Sequence, residues 1–128
     1  MKKFFLLFLF GFTFAIHAQN EQLAQNYFDR GEFEKALISY QELLKSQIGN
    51  SNYFDRTIEC YQQLKQFDKA EKEIDERFTK YKQGNLLVQL GFNFQLQKAQ
   101  EKANKYYDDA LDFIRKNPSE VYTIAYLF

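Results

Sequence analysis

The chain has 128 residues, enough for one domain, and 17 basic side chains balance 17 acidic ones. Without residues 1–18, 110 residues remain with a net charge of −2, one cysteine (Cys60), one proline (Pro118) and no histidine, methionine or tryptophan. That inventory excludes an imidazole-activated nucleophile and a zinc site built from His and Cys, and no basic block is present for nucleic acid.

The first segment reads as an export signal. Lys2 and Lys3 precede an apolar run from Phe4 to Ile16, and Ala18 offers a small residue for cleavage, leaving Gln19 as the new N-terminus. The run is shorter than the roughly 20 residues that span a bilayer. The mature chain is expected to have no membrane span and to lie in the periplasm or cell envelope, or to be secreted. A single cysteine allows no internal disulfide. Cys60, between Glu59 and Tyr61 on an expected helix, reads as a small buried thiol.

From Gln19 onward the apolar spacing is helical. Leu23, Ala24 and Tyr27 open a first helix, and Arg30-Gly31 breaks it. Phe33, Leu37, Tyr40, Leu43 and Leu44 form the stripe of a second, which ends at Gly49-Asn50. The next pair carries Ile58 and Tyr61, a break at Lys65-Gln66, then Phe67, Ala70 and Ile74, and ends at Gln83-Gly84. The third pair carries Leu87, Leu90, Gly91 and Phe94, then Ala103, Tyr107, Ala110, Leu111 and Ile114. Gly31 and Gly84 suit the left-handed residue that ends a helix.

These pairs repeat. Phe33-Glu34-Lys35-Ala36 returns as Phe67-Asp68-Lys69-Ala70, and Glu101-Lys102-Ala103 is a third copy. One such hairpin cannot bury its own apolar face, so neighbours must supply the core. The expected fold is all-α, an α-solenoid of antiparallel helix-turn-helix units, with a plain helical bundle as the alternative. The units run over about 19–50, 51–83 and 84–117, with a partial fourth over 118–128.

A helix-turn-helix unit of this length, with Tyr27, Gly31, Phe33, Ala36 and Tyr40 in the first copy and Leu90-Gly91, Phe94, Ala103 and Tyr107 in the third, resembles the tetratricopeptide repeat. Lys65 stands where the family has glycine, Arg77 where it has a small residue, and the family's proline near the end of each unit is missing. The small residues Ala24, Ala36, Ala70, Gly91 and Ala103 are expected at close helix crossings.

Asn117-Pro118-Ser119-Glu120 reads as another helix start. The uncharged run from Val121 to Phe128 then reads as the opening of a fourth unit in a longer array, or as a closing helix able to self-associate.

The carboxylates of Glu71, Glu73, Asp75, Glu76, Asp108 and Asp109 interleave with lysines and read as solvated helix faces. No catalytic residue, cofactor or metal is expected. The resemblance implies a concave groove lined by the first helix of each unit. Its residues would be Gln25, Phe28 and Asp29, then Asp55, Glu59, Gln62 and Gln63, then Val88, Phe92 and Gln95, and finally Tyr122 and Tyr126. Such a floor is polar and mildly acidic with aromatic anchors, and suits a neutral or basic peptide or protein partner. Function is therefore expected to be non-catalytic scaffolding or protein binding. The alternative is the N-terminal sensory region of a longer signalling protein.

Overall fold

The computed structural model describes residues 19–118. The expected leader, and the expected fourth repeat with Tyr122 and Tyr126, lie outside the described residues. Among the described residues six α-helices follow one another: α1 over 19–29, α2 Phe33–Ser46, α3 Ser51–Gln63, α4 Phe67–Tyr81, α5 Gly84–Leu96 and α6 Gln100–Lys116. Among the described residues there is no strand. The chain divides after Leu64 into two compact units, α1–α3 and α4–α6. That division falls inside the second expected repeat.

The turns after α1, α3 and α5 share one backbone shape. Gly31, Lys65 and Lys98 all take positive φ, at 75°, 60° and 61°. The residue after each, Glu32, Gln66 and Ala99, falls near φ −90° and ψ +65° before the next helix begins. At the end of α1 the Glu32 N–H donates to the Tyr27 carbonyl at 2.9 Å and the Gly31 N–H to Phe28 at 3.0 Å. At the end of α5 the Ala99 N–H donates to Phe94 and the Lys98 N–H to Gln95, both at 3.0 Å. This Schellman pattern satisfies carbonyls that a helix end would otherwise orphan. Glycine makes the left-handed step easily, and in the second and third turns lysine makes it instead.

At the other helix ends the caps differ. Asn50 accepts a hydrogen bond from the Tyr53 N–H at 3.1 Å through Oδ1 and caps α3. The left-handed residue closing α4 is Lys82, at φ 52°. Gly84, expected to end a helix, is instead the first residue of α5.

The first unit packs around Ala24, Ala36, Tyr40, Leu43, Tyr53 and Cys60, with Phe28, Phe33 and Leu37 partly buried against them. Phe28 meets Phe33 edge-on at 5.4 Å between centroids, and Tyr40 at 6.5 Å. In the second unit, Ile74, Leu86, Leu90, Ala70, Ala103 and Ala110 are buried, and Asn93 donates from Nδ2 to the Phe67 carbonyl at 3.1 Å. Phe94 stacks on Tyr106 at 5.5 Å with the rings 4° from parallel. All five small residues expected at helix crossings are buried. Leu111, expected in the apolar stripe of α6, is exposed. Glu71 and Glu73 are half-buried, not solvated as expected, while Asp108 and Asp109 are exposed.

Candidate functional site

In the first unit, α1 and α3 bring several of the expected groove residues into one surface network, built on Tyr40 of α2. The Tyr40 hydroxyl donates to Gln25 Oε1 at 3.1 Å. Gln25 Nε2 in turn donates to Asp29 Oδ1 at 2.7 Å, one helical turn on. Burial raises the Tyr40 hydroxyl above its usual pKa, with Cys60, Asp29 and Glu21 adding to the rise and Arg56 opposing it. At pH 7 the phenol is therefore a neutral donor, which fixes the orientation of the Gln25 amide.

Beside this network lies a residue the sequence did not single out. The Arg56 guanidinium, from α3, sits over the Phe28 ring with Cζ 4.4 Å from the centroid. Its Nη1 donates to Glu59 Oε2 at 2.8 Å, and the two side chains are 30% and 45% exposed. Burial works to lower the Arg56 pKa, but hydrogen bonding and charge from Glu59, with Tyr40 and Asp29, outweigh it and hold the group charged. Phe28 is thus an aromatic floor covered by a cation that is itself paired with the Glu59 carboxylate.

Of the other expected residues in this unit, Asp55 and Gln63 are exposed and Gln62 is buried. In the second unit Val88 is buried, whereas Phe92 and Gln95 on α5 are exposed. Gln95 Oε1 accepts from the Tyr107 hydroxyl at 2.7 Å. Gln62 and Val88 therefore support their helices from within and offer a partner little surface. Tyr122 and Tyr126 lie outside the described residues.

Burial pushes the Cys60 thiol up to about 12, with Glu59 adding to the rise, so the residue is protonated and inert at neutral pH. Among the described residues no group of three or more His, Cys, Asp and Glu side chains could hold a metal ion. No helix among them is long and apolar enough to cross a membrane.

Neither a family model nor a curated protein matches the sequence. Among solved structures, the chain is similar to the type III secretion translocator chaperone SycD of Yersinia enterocolitica. The TM-score is 0.62 at 20% identity, covering 85% of this chain and 83% of that one. The fold is tetratricopeptide-like. A second similar structure, MamA MSR-1 C2, has a TM-score of 0.61 at 14% identity and matches over 78% of this chain. The match covers 58% of that protein, so the chain spans less than two thirds of its length. Identities this low speak to fold alone, and function has to be argued from the surface.

Proposed function

We propose that the chain is a non-catalytic protein-interaction module of the tetratricopeptide type, exported through its N-terminal segment, which binds a neutral or basic peptide segment on the face formed by α1 and α3. The observation that carries this reading is the network of Tyr40, Gln25, Asp29, Phe28, Arg56 and Glu59. It combines a preorganised polar rim with a partly exposed aromatic floor, the arrangement from which an interaction surface draws most of its energy. Asp55 and Glu59 add negative charge, which favours a basic segment through complementarity. The Lys2-Lys3 head with its short apolar run supports export.

The test is charge reversal. The chain is expected to bind a hexa-arginine peptide in preference to a hexa-glutamate peptide. Replacing Asp55→Lys and Glu59→Lys together should weaken hexa-arginine binding several-fold. Unchanged affinity in a variant with the parent's helical content would overturn the reading. Export is checked separately by the mass of the envelope-fraction product, expected to begin at Gln19.

A further inference from the structure

The first unit holds a cation on an aromatic face. Arg56 lies 4.4 Å over Phe28 and pairs with Glu59 at 2.8 Å, and Asp29 is near enough for its charge to act on the guanidinium. A charge centred over a ring and hydrogen-bonded to a carboxylate suits a guanidinium better than an ammonium. Each tie is individually weak. The Arg56–Glu59 pair is a partly exposed i,i+3 contact on one helix, and such pairs are readily exchanged. The cation–π contact is also at the surface. Of the two carboxylates, Asp29 is held independently of Arg56, by Gln25, which Tyr40 holds in turn, whereas Glu59 is the group that Arg56 would give up.

We infer that Phe28, Glu59 and Asp29 form a seat for the guanidinium of an arginine side chain on the partner, and that Arg56 occupies this seat in the free protein and yields it on binding. This deepens the proposed function, on which it rests, by naming arginine as the anchoring side chain. Arg56 then acts as a built-in competitor: it keeps the ring covered when no partner is present, and it sets a threshold against weakly basic segments. A partner arginine entering the seat releases Arg56 to solvent at modest cost, because each of its ties is weak and partly open to solvent.

The experiment measures hexa-arginine and hexa-lysine binding by calorimetry on the full chain and three variants, each checked for parent-like helical content and melting. Arg56→Met should raise hexa-arginine affinity by about three- to tenfold, the range set by the two ties it removes, with a smaller gain for hexa-lysine. Arg30→Met removes the same charge from the exposed end of α1 without emptying the seat, and should gain less than about twofold by long-range charge alone. Phe28→Leu combined with Arg56→Met should cancel the gain. If Arg56→Met does not fold, Arg56→Lys, which keeps the charge but loses the planar fork, should still show a preferential gain for hexa-arginine. Equal gains for Arg56→Met and Arg30→Met, or no gain for Arg56→Met over the parent, would overturn the seat. The binding face itself would still stand if charge reversal at Asp55 and Glu59 weakened the parent's binding. Absence of binding by both the parent and Arg56→Met would overturn the face and the seat together.

Discussion

Gly91 on α5 and Tyr107 on α6 approach so closely that a Cβ at Gly91 would stand 2.5 Å from the Tyr107 ring carbon Cε1 and 2.7 Å from Cδ1. No side-chain carbon tolerates that distance, so the glycine is what lets the ring come this close to α5. The ring cannot swing aside freely, because its hydroxyl is tied to Gln95 at 2.7 Å. Glycine in mid-helix is otherwise unfavourable by about 1 kcal/mol relative to alanine, and the close crossing offsets that cost.

Gly91→Ala should therefore destabilise the protein by about 1 to 2 kcal/mol, overpacking outweighing the gain in helix propensity. The same change made together with Tyr107→Ala should be neutral or stabilising relative to Tyr107→Ala alone. Urea unfolding of the four chains checks both signs. A stabilising effect of Gly91→Ala in the parent background would show that the two helices do not meet at this point.

This contact also explains how much of the fold could be read from sequence. Small residues recur at two places, Ala24 and Gly91 in the first helices of two units and Ala36, Ala70 and Ala103 in the second helices of all three, where they report a steric requirement, and all five are buried. Helix positions likewise followed from apolar spacing. The turn glycines were read less well. A left-handed residue is required at the end of α4, but Lys82 fills it and Gly84 starts the next helix. Composition marks glycine as the usual solution, yet it does not reveal where another residue bears the strain.

The candidate site was legible in part for a different reason. Repeat register assigns a face to each first helix, but burial along that face varies, and it closed over Gln62 and Val88 while leaving Phe92 open. Arg56 carried no periodic signal. Its significance comes from meeting Phe28, 28 positions earlier in the chain, and only the folded α1 and α3 bring the two together. The i,i+3 spacing of Arg56 and Glu59 was visible in the sequence, but by itself it indicates no more than a surface ion pair.

The half-buried carboxylates of α4 predict a pH dependence. Glu73 is raised above its ordinary pKa of 4.5 first by burial and then by the Glu76 charge, with Lys72 opposing. Glu71 is raised by burial and by Asp75 and Asp68, with Lys102 opposing. A carboxyl whose folded pKa is raised binds its proton more tightly in the folded chain than in the unfolded one. Its stabilising contribution is fully present below the unfolded value near 4.5 and is lost as pH rises through the folded value. At pH 7 both side chains are ionised in a poorly solvated place. Glu73→Gln should then raise the melting temperature at pH 7 by a small amount, corresponding to about 0.5 kcal/mol or less. The difference should vanish at about pH 4, where the parent's carboxyl is also largely protonated. Scanning calorimetry of both chains from pH 4 to pH 7 checks this, and a difference that grew on acidification would reverse the assignment.

The three left-handed turns make the last prediction. Gly31, Lys65 and Lys98 hold equivalent places in the turns after α1, α3 and α5 with φ within 15° of one another, so the turn itself dictates the conformation and not its local side chain. A residue with a Cβ pays about 1 kcal/mol or more for the left-handed region. That cost stands at Lys65 and Lys98 and is absent at Gly31. Lys98→Gly should therefore stabilise the protein by about 1 kcal/mol, less any flexibility gained by the unfolded chain. Lys65→Gly should gain slightly less, because Lys65 also lies 5.9 Å over the Phe67 ring. Gly31→Lys should lose a similar amount, since it places in the first turn the residue that the other two carry. Denaturant unfolding of the three variants separates backbone strain from side-chain contact: opposite signs for Lys98→Gly and Gly31→Lys identify strain. If Lys98→Gly destabilised the chain, the lysine side chain would have to make contacts that outweigh the strained φ, and the turns would not be equivalent in energy despite their common shape.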